Sequence, residues 1–169
     1  MTIAVLSIGS NVGDSIAHLR SVVDRLGDRL VVASGVYRTA PWGGVEQEPF
    51  HNAVLIADDD ALEAGGWLGV ARACESAAGR TRKVRWGPRT LDVDVIAVYD
   101  REGMLIVSGD PELTLPHPRA HERAFVLAPW VELQPHAMLP QGAVDALLRG
   151  LLESGDPQQQ VERLDGVAL

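Results

Sequence analysis

The sequence predicts an α+β fold: a single domain built on an antiparallel sheet of the ferredoxin-like kind, with helices packed on one face. Strand-like and helix-like runs alternate over the first hundred residues in the order strand, helix, strand, strand, helix, strand. The stretch between the second and third strands holds Pro41, Gly43, Gly44 and Pro49, which breaks the helical crossover that a doubly wound parallel sheet would need. With 169 residues, 46% of them hydrophobic and 22% charged, the chain is long and apolar enough to bury one proper core.

Residues 3 to 8 form a short apolar run rich in branched side chains and stopped by Gly9-Ser10-Asn11, which predicts the first strand. A helix follows, capped by Asp14 or Ser15. Ile16, Leu19, Val22, Val23 and Leu26 recur at helical spacing until Gly27 ends it. Residues 30 to 37 and 51 to 57 predict two strands on either side of the long loop at 38 to 50, whose length suggests a functional role. Asp60 is a candidate cap for a second helix ending near Gly79. Gly65 and Gly66 each cost about 1 kcal/mol against alanine, so its regular part is expected from about Trp67. Residues 91 to 99 give the clearest strand. Beyond it the sequence predicts a turn at 100 to 103, an apolar run at 104 to 107, a helix from about 120 and a last helix at 143 to 152. Residues 1–152 are expected as one domain, and residues 153–169 as a mobile polar tail.

A formal charge of −8 argues against general nucleic-acid binding, because a phosphate backbone needs a broad cationic surface. Cys74 is the single cysteine, so no intrachain disulfide forms. The first residues carry no basic lead, and no stretch has the roughly 20 apolar residues of a membrane-spanning helix. The expectation is a cytoplasmic monomer with small-molecule partners and neither nucleic acid nor membrane among them.

The chemistry concentrates in "RWGPRTLDVDVI", residues 85 to 96. In a strand, Asp92 and Asp94 lie on one face with Ile96 and Val98, while Leu91, Val93 and Val95 take the other. Two positions apart means about 6.6 Å along the strand. Two charges whose oxygens lean together repel by about 2 to 3 kcal/mol at an effective dielectric near 20, so a cation is wanted. A pair of magnesium ions, bridging these carboxylates to phosphate oxygens, meets that need; a solvated strand face is the plainer alternative. Immediately upstream, Arg80, Arg82, Lys83, Arg85 and Arg89 occur with no acid among them. Guanidinium forks match phosphate oxygens, although an isolated basic loop would look the same. The glycine-bearing "IGSNVGD" at 8 to 14 lacks the lysine and spacing of a phosphate loop and reads as a turn.

Residues 85 to 96 closely resemble the signature of the 6-hydroxymethyl-7,8-dihydropterin pyrophosphokinase family. "IGSN" at 8 to 11, "YRTAPWG" at 37 to 43, "FHNAV" at 50 to 54, "CESAAGRTR" at 74 to 82, "LTLPHPRAHERAFVL" at 113 to 127 and "PQG" at 140 to 142 follow in the family's order. The resemblance implies a ferredoxin-like α+β fold and transfer of pyrophosphate from ATP, the co-substrate, to the hydroxymethyl group of 6-hydroxymethyl-7,8-dihydropterin, releasing AMP. It implies that Asp92 and Asp94 hold two magnesium ions. Arg82 and Arg89 match positions on the triphosphate, Arg80 matches a catalytic-loop arginine, and Trp86 one that closes over the substrates. Leu68, Glu75, Val95, Leu113, Thr114, His117 and Arg123 match positions around the nucleotide. Thr39, Trp42 and Asn52 match the pterin-binding positions, and Phe50 and Phe125 the aromatic pair that sandwiches the ring. The chain departs from the family pattern at Ala40, Phe50 and Pro118.

Residue chemistry bears on these transfers. A flat heteroaromatic needs apolar faces and an amide at its edge, and Phe50 and Asn52 are read on alternating sides of a strand; core packing and a turn amide are their plainer alternatives. Thr39 also suits a turn. His117 with His121 could suggest a zinc pair, but no cysteine is near and proline interrupts the spacing. Two other functions share the motif: a metal-dependent phosphohydrolase, and a noncatalytic nucleotide-binding domain of the same fold.

Overall fold

A computed structural model describes residues 1–41, 46–79 and 90–169. Expectations for Trp42, Arg80, Arg82, Lys83, Arg85, Trp86 and Arg89 fall outside these residues. The chain runs β1 (Thr2–Ser10), α1 (Ser15–Leu26), β2 (Leu30–Ala33), β3 (Tyr37–Thr39), β4 (Phe50–Asp59), α2 (Ala64–Ala77) and β5 (Asp92–Tyr99). A small hairpin, β6 (Ser108–Asp110) and β7 (Leu113–Leu115), leads to α3 (Ala124–Leu133). The remainder is β8 (Met138–Leu139), β9 (Gly142–Ala143), α4 (Val144–Glu153) and β10 (Val161–Arg163).

The main sheet is antiparallel in the order β10-β3-β4-β1-β5, with β2 also paired to β4. Its β1-α1-β2/β3-β4-α2-β5 core has the ferredoxin-like order, since β1 lies between β4 and β5. Helices cover both faces rather than one. One side buries Leu6, Ile8 and Leu55 against Leu19 and Val22 of α1 and Trp67 and Ala71 of α2. The other buries Val5, Val54 and Ile96 against Val126, Leu127 and Trp130 of α3 and Val144 of α4. The expectation of one covered face stopped at the first hundred residues, before the apolar helices that close the second face.

Local chemistry explains the element ends. Asp14 caps α1 by accepting from the Ala17 N–H at 3.1 Å, and Gly27 ends it with φ of 53°. Asp60 does not cap α2. Asp59 instead accepts from the Ala61 N–H at 2.7 Å, and the helix begins at Ala64 with both glycines inside it. Trp67, fully buried, anchors α2 by donating its indole N–H to Thr2 Oγ1 at 2.8 Å, and Thr2 donates onward to the Leu62 carbonyl at 2.7 Å. Truncating such a tryptophan to alanine typically costs about 3 to 5 kcal/mol. The predicted strand at 30 to 37 is split. Its middle bends at Ser34, whose N–H and Oγ both bond the Val54 backbone at 2.9 Å, so the chain re-enters the sheet as β3. The helix expected from about 120 starts as a single 3-10 turn at Ala120–Glu122 and becomes α-helical at Ala124.

Two findings reshape the end of the sheet. β5 carries an irregularity: Val5 pairs with Ala97 and Leu6 with Val95, leaving Ile96 as an extra residue. Ile96 and Ala97 therefore both face α3, and Val98 joins the opposite core, not the face of Asp92 and Asp94 as strict alternation predicted. The segment 153–169, expected as a mobile polar tail, is tied into the sheet. β10 pairs with β3, the Leu164 N–H donates to the Val36 carbonyl at 2.9 Å, and Leu164, Val167 and Leu169 pack against the first core. Its few apolar residues are spaced to reach that core, a signal that low overall hydrophobicity concealed.

Candidate active site

The site is assembled from one row across the sheet. Asp92 on β5 lies opposite Gly9 on β1, Gly9 opposite Asn52 on β4, and Asn52 opposite Tyr37 on β3. Directly opposed residues in an antiparallel pair share a face, so Asp92, Asn52 and Tyr37 all project toward the α3 side. Asp94, opposite Ser7, and Phe50, opposite Thr39, flank the row on that face. Phe50 and Asn52 are thus on the same side of β4, not on alternating sides: two residues apart is one full strand period.

Gly9 belongs to β1 rather than to a turn, and its lack of a side chain matters. A Cβ there would overlap Oδ1 of Asn52. Asn52 is 5% exposed and donates its amide to Thr39 Oγ1 at 2.6 Å. The amide is fixed in orientation before any ligand arrives, which suits recognition of a heterocycle's edge. Close by in sequence, Asn11 donates to Gln47 Oε1 and to the Glu48 carbonyl, each at 2.9 Å, holding the near end of the loop before β4 onto β1.

The carboxylates meet cations from the opposite helix. Arg123, the last residue before α3, is 7% exposed and places Nη1 3.9 Å from Asp94 Oδ2. Burial pushes the Arg123 guanidinium below its ordinary pKa, while Asp94 and more weakly Asp92 pull it upward. Arg119 adds positive charge beside it and pairs with Glu122 at 2.9 Å. The guanidinium carbon also sits 5.6 Å from the centre of the half-buried Phe125 ring.

His117 lies on the segment joining β7 to α3. Its backbone N–H donates to the Ile96 carbonyl at 2.7 Å, so it is fastened to the outer edge of β5. Nδ1 accepts from the Arg119 N–H at 3.1 Å, which leaves the neutral ring's proton on Nε2. Burial, then the charge of Arg123, pushes the imidazole down to about 4, with Asp92 opposing, so His117 is a neutral hydrogen-bond donor at pH 7.

The expected nucleotide residues divide between the faces. Asp92, Asp94, His117 and Arg123 gather around the α3 side of β5, beside Phe125 of the expected pterin pair. Leu68 and Glu75 lie on α2, and Val95, 6% exposed, points into the α2-side core, against which Leu113 packs. Thr114 donates its hydroxyl to the Asp110 carbonyl at 3.0 Å within the β6–β7 hairpin. β5 is at the edge of the main sheet, so a ligand lying along that edge can reach side chains from both faces. His117 and His121 form no metal centre with a third ligand among the described residues. Sequence reasoning passed over Gly9, whose role shows only when β4 is laid beside β1.

The family model for 7,8-dihydro-6-hydroxymethylpterin-pyrophosphokinase (HPPK) matches residues 5–135. A curated 2-amino-4-hydroxy-6-hydroxymethyldihydropteridine pyrophosphokinase from Mycobacterium tuberculosis is 51% identical over 161 residues, spanning 93% of this chain and 86% of its own. The protein of the same name from Mycobacterium leprae is 47% identical over 175 residues, spanning 100% and 92%. Among solved structures, wild-type HPPK-DHPS of Plasmodium falciparum superimposes with a TM-score of 0.67 at 12% identity, covering 96% of this chain. The chain spans about half of that longer protein, 47% of its length, and the likeness speaks for the fold.

Proposed function

The chain belongs to the 7,8-dihydro-6-hydroxymethylpterin-pyrophosphokinase family, and from that premise we propose that it transfers pyrophosphate from ATP to 6-hydroxymethyl-7,8-dihydropterin, releasing AMP, in folate biosynthesis. The observation that carries this reading is the shared row: Asp92 and Asp94 at one end, facing a buried arginine, and the Asn52–Thr39 pair at the other. A polyphosphate needs the first and a pterin edge needs the second. Their separation by one bare strand position, Gly9, puts the two substrates side by side.

The donor set fits magnesium. Asp92 and Asp94 offer hard carboxylate oxygens on one face of one strand, and no cluster of three metal-ligating side chains occurs among the described residues. Magnesium is commonly held by one or two carboxylates, with substrate phosphates and water completing its shell. Bound there as two ions, it would neutralise charge on the triphosphate and the attacking alcohol. Asp92 and Asp94 would hold it, and Arg123, desolvated and close to both, would bind phosphate oxygen. His117 donates from Nε2 to the nucleotide, and Leu68, Glu75, Val95, Leu113 and Thr114 line its course along the edge of β5. Asn52 and Thr39 orient the pterin, whose faces meet Phe50 and Phe125. Arg80, Arg82 and Arg89 complete the phosphate grip, Trp42 joins the pterin site and Trp86 closes over the substrates, on the sequence pattern described above.

In this reading the hydroxymethyl oxygen attacks the β-phosphorus, a new P–O bond forms there, and the bond from that phosphorus to the oxygen retained by AMP breaks. The hydroxyl proton is released. Catalysis comes from placement and charge stabilisation rather than from a covalent enzyme intermediate. The enzyme acts as a cytoplasmic monomer with these two substrates as its partners; its lone cysteine is buried, in keeping with a reducing compartment. Incubation with ATP, magnesium and the hydroxymethyl dihydropterin tests the reading: AMP must appear, and only when pterin is present. ADP would mean that a single phosphoryl group is moved, and nucleotide cleavage without pterin would make the protein a hydrolase; either outcome overturns the reading.

A further inference from the structure

We propose that Gln159, in the C-terminal segment, is a positioning residue for the phosphate end of the site and acts through Arg123; the inference rests on the reading that places Arg123 against the nucleotide. Gln159 is 4% exposed, unusual for a glutamine. Its amide is bonded at both ends. Oε1 accepts from the Ala124 N–H at 2.9 Å, and Nε2 donates to the Glu122 carbonyl at 2.9 Å.

Those two backbone groups belong to the peptide planes on either side of Arg123. Because each plane is rigid, their relative orientation is set by two torsions, φ and ψ of Arg123, observed at −125° and 100°. Bonding both planes to one planar amide fixes both torsions, and with them the direction in which the arginine side chain leaves the backbone. The extended conformation at Arg123 separates a 3-10 turn ending at Glu122 from α3 starting at Ala124: its N–H closes the first on the Ala120 carbonyl at 3.2 Å, its carbonyl accepts from the Leu127 N–H of the second at 3.1 Å, and neither of those bonds spans Arg123. Gln159 supplies the link across Arg123 and also satisfies an N–H in the first turn of α3, a position that ordinarily lacks an intrahelical acceptor.

The glutamine is itself secured from both directions. Asp156 Oδ1 accepts from the Gln158 N–H at 2.9 Å, capping the 3-10 turn Pro157–Gln159. Immediately after it, β10 pairs with β3, Val161 opposite Thr39. Arg163 then bonds Glu132 of α3 at 3.1 Å and lies across Gly35. The segment that holds the arginine is therefore anchored to the strand bearing Thr39.

Gln159→Leu keeps the volume and removes both bonds. We expect KM for ATP to rise about tenfold, the effect of losing a pair of buried hydrogen bonds that orient a binding group. Gln159→Glu, which retains the acceptor alone, should fall between Gln159→Leu and the parent. Arg163→Ala, which loosens the same segment away from Arg123, should lower Tm while leaving KM for ATP unchanged. In an Arg123→Ala background, Gln159→Leu should add less than a twofold further effect, because the residue it positions is gone. An unchanged KM for ATP in Gln159→Leu, or full additivity with Arg123→Ala, overturns the positioning role. Normal ATP affinity in Arg123→Ala itself would instead remove the nucleotide assignment on which the proposal stands. Should Gln159→Leu fail to fold, the Gln159→Glu single and its double with Arg123→Ala decide the matter by the same additivity.

Discussion

The amide of Asn52 lies across the bare Cα of Gly9 on the neighbouring strand, with Oδ1 in the space a β-carbon would occupy. Gly9→Ala must push that amide away from β1 and strain its 2.6 Å bond to Thr39. We expect KM for the pterin to rise about tenfold, with a stability loss of about 1 to 3 kcal/mol from overpacking. Steady-state kinetics with the pterin varied checks this, and an unchanged KM would mean that the amide does not touch the ring.

Asp92 and Asp94 face the same guanidinium, and in the proposed reaction they hold the metal that meets charge brought by the substrate. Replacing either with alanine should lower kcat by about a thousandfold, the scale of losing a principal electrostatic group in phosphoryl transfer. Both variants should remain folded by circular dichroism. Near-normal turnover in either one would displace the phosphate site from this end of β5.

The depressed His117 pKa makes stability depend on pH in a defined direction. Unfolded, the imidazole titrates near its ordinary 6.5; folded, it stays neutral down to about 4. Stability is fully present above 6.5 and is lost as pH falls from there to 4, by about 3 kcal/mol at most, after which no more is lost from this group. His117→Asn should flatten Tm against pH across that window. An identical slope in the variant would assign the acid sensitivity elsewhere.

Tyr37 and Tyr99 are the two tyrosines of the chain, and burial raises both phenols. Tyr37 reaches about 12, burial first and then the hydrogen bond to Glu132 holding its proton. Absorbance at 295 nm should therefore show little phenolate at pH 10 in the folded protein and about one tyrosine's worth once it is denatured, each of the two phenols then being half-ionised at its ordinary pKa of 10. The contribution is lost as pH rises from 10 toward 12. Tyr37→Phe should remove part of that alkaline loss.

Much of this architecture was readable from residue order alone. The strand at 91 to 99, the helix ending at Gly27 and the last helix near 143 to 152 follow from apolar spacing and glycine stops, and each is present within about two residues. The carboxylate pair was legible because acids at i and i+2 within an apolar run need a reason. What stayed hidden depends on partners distant in sequence. Gly9 acquires a role from Asn52, and Gln159 from the peptides flanking Arg123. The split between β2 and β3 arises from Ser34 bonding Val54, which no local pattern announces. Strict alternation also misplaced Val98, since the extra residue in β5 is a property of its pairing with β1.

That extra residue bears on how genes for such enzymes can diverge. Ile96 and Ala97 both look toward α3, while Val95 and Val98 look toward the first two helices. Losing the Ile96 codon would restore plain pairing with β1 and keep Ala97, Val98 and Tyr99 on their present faces, but would strip a fully buried side chain from the α3 compartment. Sequence drift between Asp94 and Val98 should accordingly proceed by replacement and not by gain or loss of length, whereas the exposed turn at Arg101–Gly103 is free to vary in both.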